Sequence, residues 1–252
     1  MVPRHGPCPA RGTGARGHRV PQHPGGAHGA ARAWRGAGVA ARLGAVWRVP
    51  RIPPGAHARN ARCQRSRART TGGRPYLLHV GSAIPRKRLD VLFAVFAALR
   101  ARYPELRLVQ QGGALNGTQR AQVEALGIGD ALLQPPRQER ATLAGLYRRA
   151  TAVLVTSEAE GFGLPVIEAL ACGAPVVASD LPVLREVGAA ACTYCPVGDV
   201  PAWVESVAAL LAGHDAQPSR EARLTRASRF TWAAHARTVL DAYLRLLGTS
   251  TP

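Results

Sequence analysis

From residue 74 onward, short apolar runs alternate with longer segments in which apolar residues recur every three or four positions. The first kind reads as buried strands and the second as amphipathic helices. Strands are expected at 76–80, 106–109, 132–133, 152–156, 175–178 and 191–195. Helices are expected at 89–103, 117–126, 140–150, from Pro165 to just before Gly173, and at 183–187, 202–211, 221–229 and 233–247. On the first helix Leu92, Phe93, Phe96 and Leu99 fall at core spacing. Strands that alternate with helices argue for a Rossmann-like α/β fold, a parallel sheet with helices on both faces. Ligands of such sheets sit beyond the C-terminal strand ends.

Two loops occupy that position. The first strand runs into Gly81-Ser82 and then the basic triplet Arg86-Lys87-Arg88. Lys87 is the only lysine of the chain. An ammonium is a compact point charge suited to a phosphate oxygen, and Arg86 beside it offers a bidentate fork. The other reading is a solvated charge run at a helix start. There the macrodipole opposes cations, so they need another reason to be present. The fourth strand runs into Glu160-Gly161-Phe162-Gly163-Leu164-Pro165-Val166-Ile167-Glu168. Pro165 suits a first helical turn and Gly173 a helix stop. A Gly-rich loop before a helix N-terminus suits an anionic ligand. The carboxylates of Glu160 and Glu168 cannot hold phosphate, but they accept hydrogen bonds from hydroxyls of sugar and ribose.

This stretch resembles the E-x7-E motif of the glycosyl transferases group 1 family, retaining nucleotide-sugar-dependent enzymes of the GT-B fold. The block at 79–90 is similar to the family's basic phosphate-binding loop, and Phe230-Thr-Trp-Ala-Ala-His-Ala-Arg237 to its closing helix. The resemblance runs from about residue 74 to 247 and implies the donor-binding half of a two-domain enzyme. It implies that Arg86 and Lys87 bind the diphosphate of a GDP- or UDP-sugar, with Gly81 and Ser82 in the strand-end loop. Glu160 would hold a hydroxyl of the transferred sugar, with Glu158 as a nearby competitor, and Glu168 the ribose hydroxyls. Gly161 and Gly163 would let backbone approach the ligand, and Leu164 and Val166 would offer N–H groups to phosphate. Phe162 lies in the donor loop but reads as packing. Glu160, Lys87 and Arg86 are the expected catalytic set. The resemblance implies transfer that retains configuration and needs no metal, and the chain shows no Asp-x-Asp metal-bridging signature. The acceptor would be a saccharide or lipid-linked saccharide in glycan or cell-envelope synthesis. His79 reads as core, and His235 as structural.

Composition divides the chain. Residues 1–75 hold 15 of its 33 basic residues and none of its 15 acidic ones, so +15 of the net +18 lies there. They also hold 13 Gly and 9 Pro, which leaves too little apolar surface to offset ordering entropy. Residues 1–73 are therefore expected to be a disordered basic segment, and 74–252 the nucleotide-sugar-binding domain. Three explanations of the segment stand side by side: a polyanion-binding arm, a transit peptide, or an out-of-frame reading of GC-rich DNA. The segment is too short and polar to form the family's acceptor domain, so a catalytically incomplete donor-binding remnant is the second reading. No sequence-specific nucleic-acid partner is expected. With no run of 18 apolar residues and no signal-peptide core, a cytoplasmic place is expected, extending to the inner face of the membrane. Cys192-Thr-Tyr-Cys195 has redox spacing but lies on an expected strand, so structural thiols are expected.

Overall fold

The computed structural model describes residues 71–213 and 217–247. The expectations for residues 1–70 lie outside these residues. Thr71 to Gly73 lead into a turn closed by Arg74 N–H donating to Thr71 O at 3.2 Å.

The described residues follow one another as β1 (Tyr76–Gly81), α1 (Leu89–Arg102), β2 (Arg107–Gly112), α2 (Gly117–Ala125), β3 (Leu132–Leu133), α3 (Arg140–Arg149), β4 (Ala152–Val155), α4 (Leu164–Ala171), β5 (Val176–Ser179), α5 (Pro182–Gly188), β6 (Thr193–Cys195), α6 (Val200–Leu211), α7 (Arg220–Ser228) and α8 (Trp232–Leu246). Short 3-10 turns cover Pro85–Lys87 and Ala189–Ala191. The six strands form one sheet in the order β3-β2-β1-β4-β5-β6, and every pairing is parallel. The expected Rossmann-like α/β architecture is therefore present.

Side-chain alternation splits the core into two layers. Leu77, Leu108, Ala152, Leu154 and Val177 face a cluster with Leu92, Phe93, Phe96 and Leu99 of α1 and Trp203 and Val207 of α6. Leu78, Val109, Val153, Val155 and Val176 face the other way, against Tyr147 of α3, Val166 and Leu170 of α4 and Leu184 of α5. Strands buried on both faces read as continuous apolar runs, which is why they were legible. Helix starts follow their caps. Asn116 and Gln119 form a reciprocal capping box, and Asp199, Ser219 and Thr231 each accept from the N–H three residues on. Asn116 belongs to the sequon Asn-Gly-Thr, and its side-chain Oδ1 accepts the cap bond from Gln119 N–H at 2.9 Å.

β2 extends past the expected residue 109. Gln110, Gln111 and Gly112 continue the ladder opposite His79, Val80 and Gly81. Their polar side chains ended the apolar pattern, yet both glutamines are buried. Gln110 donates to Gly81 O at 3.1 Å, and Gln111 to Pro136 O at 3.3 Å. The sheet order reverses direction between β1 and β4, and ligands of open α/β sheets bind in the crevice beyond the strand ends at such a switch point.

Candidate functional site

That crevice opens at the C-terminal ends of β1 and β4, where both loops singled out in the sequence emerge. The basic pair does not sit on the start of α1. It occupies the separate 3-10 turn Pro85–Lys87, divided from α1 by Arg88 in the left-handed region at φ +48°. A non-glycine residue there is a local strain, of the kind that persists where surroundings fix it. Here Arg88 is fixed by a bidentate bond to Asp90 and a 3.2 Å bond to Glu158. The strained residue turns Arg86 and Lys87 away from the α1 axis and onto the β4 loop.

The two loops are stitched together by backbone. Glu158 N–H donates to Arg86 O at 2.9 Å, and Thr156 Oγ1 donates to Lys87 O at 2.9 Å. Side chains complete the join. Lys87 Nζ donates to Glu160 Oε1, Ser157 Oγ donates to the same oxygen at 2.8 Å, and Arg86 Nη1 reaches Glu160 Oε2 at 3.3 Å. Arg86 Nη1 also donates to Ala159 O at 2.9 Å. The side chains of Lys87 and Glu160 are only 9% and 6% exposed, whereas that of Arg86 is 45% exposed. Burial works against the Glu160 charge, but the bonds from Lys87, Ser157 and Arg86 outweigh it and hold the carboxyl below its usual range. Glu158, the competitor for this role, is exposed and turned to Arg88.

Glu168 lies apart from that cluster, in the second turn of α4. Its Oε2 accepts from Tyr147 Oη at 2.8 Å. Burial pushes its carboxyl above the usual range, and the Tyr147 bond offsets only part of that. Gly163 caps α4 at φ +83°, a conformation that favours glycine, and a Cβ there would lie 2.7 Å from Leu184 Cδ2, the end of a side chain that would have to shift. Leu164 is the first residue of α4, so no preceding turn uses its N–H, and Pro165 has none. Val166 departs from expectation. Its side chain is buried and its N–H already donates to Gly163 O at 2.9 Å, which ties up the group assigned to phosphate. Phe162 is 49% exposed, with its ring edge-on to Phe230 at 6.1 Å. Gly81 packs close to Lys87, whose Cε would lie 3.6 Å from a Cβ at that position. Ser82 and Gly161 are exposed beside the crevice.

The glycosyl transferases group 1 profile matches residues 62–229, two-thirds of the chain. The chain belongs to the glycosyl transferases group 1 family. The match starts twelve residues before Arg74. The D-inositol 3-phosphate glycosyltransferase of Xylanimonas cellulosilytica is 38% identical over 208 residues, covering 77% of this chain and 48% of that protein. The enzyme of the same name from Segniliparus rotundus is 35% identical over 176 residues, covering 65% and 38%. The chain thus spans less than half the length of these curated relatives. Among solved structures, sucrose-phosphate synthase from Thermosynechococcus elongatus superposes with a TM-score of 0.64 at 26% identity, over 74% of this chain and 49% of that one. An Anabaena protein solved with UDP and glucose shares the fold, with a TM-score of 0.64 at 19% identity. The architecture is therefore that of a GT-B glycosyltransferase domain.

Within this group 1 chain, the structure brings Arg86, Lys87 and Glu160 together and adds Ser157, which sequence reasoning had not assigned. The Ser-x-x-Glu spacing of 157–160 was a readable signal for a local side-chain bond. Tyr147 gave none, since 21 residues separate it from Glu168. Among the described residues no group of three or more His, Cys, Asp or Glu side chains is placed to hold a metal ion. Cys192 and Cys195 are buried free thiols, and burial pushes Cys192 up to about 12, which makes it a poor redox centre. No described helix is long and apolar enough to cross a membrane. His235 is exposed, with its ring edge-on to Trp232.

His79 lies in β1, 1% exposed, with Nδ1 3.1 Å from Leu154 O. A carbonyl accepts only, so Nδ1 carries the proton and Nε2 is left a buried acceptor without a partner. Burial lowers its pKa to about 4. The folded state therefore binds fewer protons than the unfolded chain between the ordinary imidazole value and pH 4. Stability is full above pH 6.5 and falls as the pH drops, by roughly 2 kcal/mol at pH 5. Urea unfolding at pH 7 and pH 5 checks this. The difference should shrink in His79→Gln, which keeps an N–H for Leu154 O. An unchanged slope in that variant assigns the acid sensitivity elsewhere.

Proposed function

We propose that this chain is the donor-binding half of a glycosyltransferase that moves a sugar from a nucleoside-diphosphate sugar to an acceptor with retention of configuration. The observation that carries the reading is the Arg86–Lys87–Glu160–Ser157 cluster at the switch point of the sheet. The only lysine of the chain is buried there against a carboxylate, with an arginine half in solvent beside it. The relatives' names support glycosyl transfer, and the UDP and glucose held by a structural neighbour support a nucleotide-sugar donor.

Binding the donor exchanges partners. A diphosphate entering from the Arg86 side draws the Lys87 ammonium off Glu160 Oε1, because the diphosphate carries two negative charges against the single charge of the carboxylate. Glu160 stays oriented by Ser157, and the oxygen that Lys87 releases accepts a sugar hydroxyl. Charge builds on the diphosphate as the glycosidic bond breaks. Lys87, Arg86 and the N-terminal N–H of α4 stabilise it from fixed positions. The diphosphate is thus stabilised without a bound metal in this proposal. Glu160 positions the sugar and Glu168 takes the ribose. The acceptor is a saccharide or a phosphorylated polyol bound by a second domain.

Calorimetry with UDP and GDP tests the assignment. Lys87→Ala should weaken binding by about 1.5–3 kcal/mol, the range for hydrogen bonds to charged groups. Glu168→Ala should weaken it similarly for ligands with intact ribose hydroxyls. Wild-type affinity in both variants removes the donor site from this crevice.

A further inference from the structure

We propose that Tyr147 is the positioning residue for ribose recognition, its buried hydroxyl holding one oxygen of Glu168 so that the other faces the donor. The proposal rests on the reading of Glu168 as the ribose-binding carboxylate. It adds the group that makes that carboxylate a directed acceptor.

Tyr147 is well suited to fix a direction. It is 1% exposed and belongs to the core cluster that includes Leu146, Ala169 and Leu170. A tyrosine has two side-chain torsions, and close packing on all sides leaves neither free. The position of its hydroxyl is therefore set by the core. From α3 that hydroxyl reaches across to α4 and meets Glu168 Oε2 at 2.8 Å. Glu168, by contrast, has three torsions and is half-buried. Without the tyrosine bond its carboxylate samples several orientations along the helix surface.

Hydrogen-bond capacity fits a vicinal diol. An ionised carboxylate offers about four lone-pair sites and no donor. Tyr147 uses one on Oε2, and two ribose hydroxyls need two of the rest. A protonated carboxyl would lose an acceptor and present a competing donor. Burial pushes Glu168 toward that form, and the Tyr147 bond works against it. Tyr147 itself is held well above its ordinary range by burial and by Glu168, so it stays a donor. The pair therefore keeps the carboxylate both aimed and receptive. The consequence is discrimination between ligands with and without ribose hydroxyls, beyond what Glu168 alone provides.

The test measures that discrimination on the full chain. The quantity is the ratio of the dissociation constants of the 2′,3′-dideoxynucleoside diphosphate and the nucleoside diphosphate, run in parallel for uridine and guanosine. The wild-type ratio is expected at about 10–100, from one or two bonds to a charged group. Glu168→Ala should bring it close to one. Tyr147→Phe should lower it about 5–10-fold, the scale of one such bond, while inorganic pyrophosphate binds as in the wild type. A merely structural role for Tyr147 would weaken pyrophosphate as much as the nucleotide. Tyr147→Phe with a full wild-type ratio overturns the proposal and leaves Glu168 in place. Glu168→Ala with an unchanged ratio overturns the ribose assignment itself, and the proposal with it. A measurement on wild-type protein covers a Tyr147→Phe variant that does not fold. The Tyr147 hydroxyl proton, followed by NMR, should exchange with water more slowly when UDP or GDP is bound. Faster exchange in the complex means that the bond breaks on binding, which overturns the proposal.

Discussion

Incubated with a panel of radiolabelled nucleotide-sugars and lipid-linked or polyol-phosphate acceptors, the 252-residue chain alone is expected to bind donor and transfer almost nothing. The described residues build one parallel sheet and one wall of a site. The chain matches 48% of one curated relative and 38% of another. In the GT-B arrangement that the sequence resembles, donor and acceptor meet between two domains. Holding two reactants in line accounts for roughly 7–11 kcal/mol of a barrier, or five to eight powers of ten in rate. Ile84, Phe162 and Leu164 are 41%, 49% and 45% exposed near the mouth of the crevice, apolar surface suited to a second wall. Where water reaches that side it screens Lys87 and Arg86 and weakens their hold on the departing diphosphate. Slow donor hydrolysis is the activity expected of this chain. Fusing the N-terminal half of a relative ahead of Arg74 should restore transfer. Robust transfer by the chain alone would mean that the acceptor wall comes from residues 1–70 or from a second copy.

Gly112→Ala is expected to cost more stability than other single changes near the site. Gly112 ends β2 at φ +147°, opposite Gly81 in the ladder. A Cβ there would lie 2.0 Å from Gly81 O, which is backbone and cannot rotate aside. The β1–β2 ladder would have to part where it delivers the Lys87 turn. A loss of about 4 kcal/mol or more in urea unfolding is expected, at the upper end for point mutations. Donor binding should weaken with it. Gly161→Ala is the control, because a Cβ there meets nothing within 4 Å. Equal stability of the two variants would contradict this view of the strand ends.

Much of the fold was legible because each buried strand is a short apolar run bounded by turn residues. Val153 to Val155 and Val176 to Ala178 are buried within one or two residues of their expected limits. Where side chains were polar but buried, the pattern failed. Gln110 and Gln111 continue the β2 ladder, and their amides find carbonyl partners on β1 and in the loop after β3, which no local pattern records. The 3-10 turn at Lys87 is three residues long and carries no periodicity. Its effect is large all the same, since it moves the basic pair from a helix start to the β4 loop. The pairing of Glu160 rather than Glu158 with Lys87 depends on Arg88 taking Glu158, an arrangement that only the folded chain shows. Val166 illustrates the reverse case. Its place at a helix N-terminus suggested a free N–H, but the first turn of α4 closes onto Gly163 O and uses it.

The most direct test of the donor site is a crystal structure of the chain with UDP, GDP or an intact nucleotide-sugar bound. The account predicts the diphosphate against Lys87 and Arg86 at the ends of β1 and β4. It also predicts ribose hydroxyls on the free oxygen of Glu168, and Glu160 released from Lys87 toward the sugar. A nucleotide seated away from the β1–β4 crevice, or in it with the Lys87–Glu160 pair intact and the diphosphate elsewhere, would contradict it.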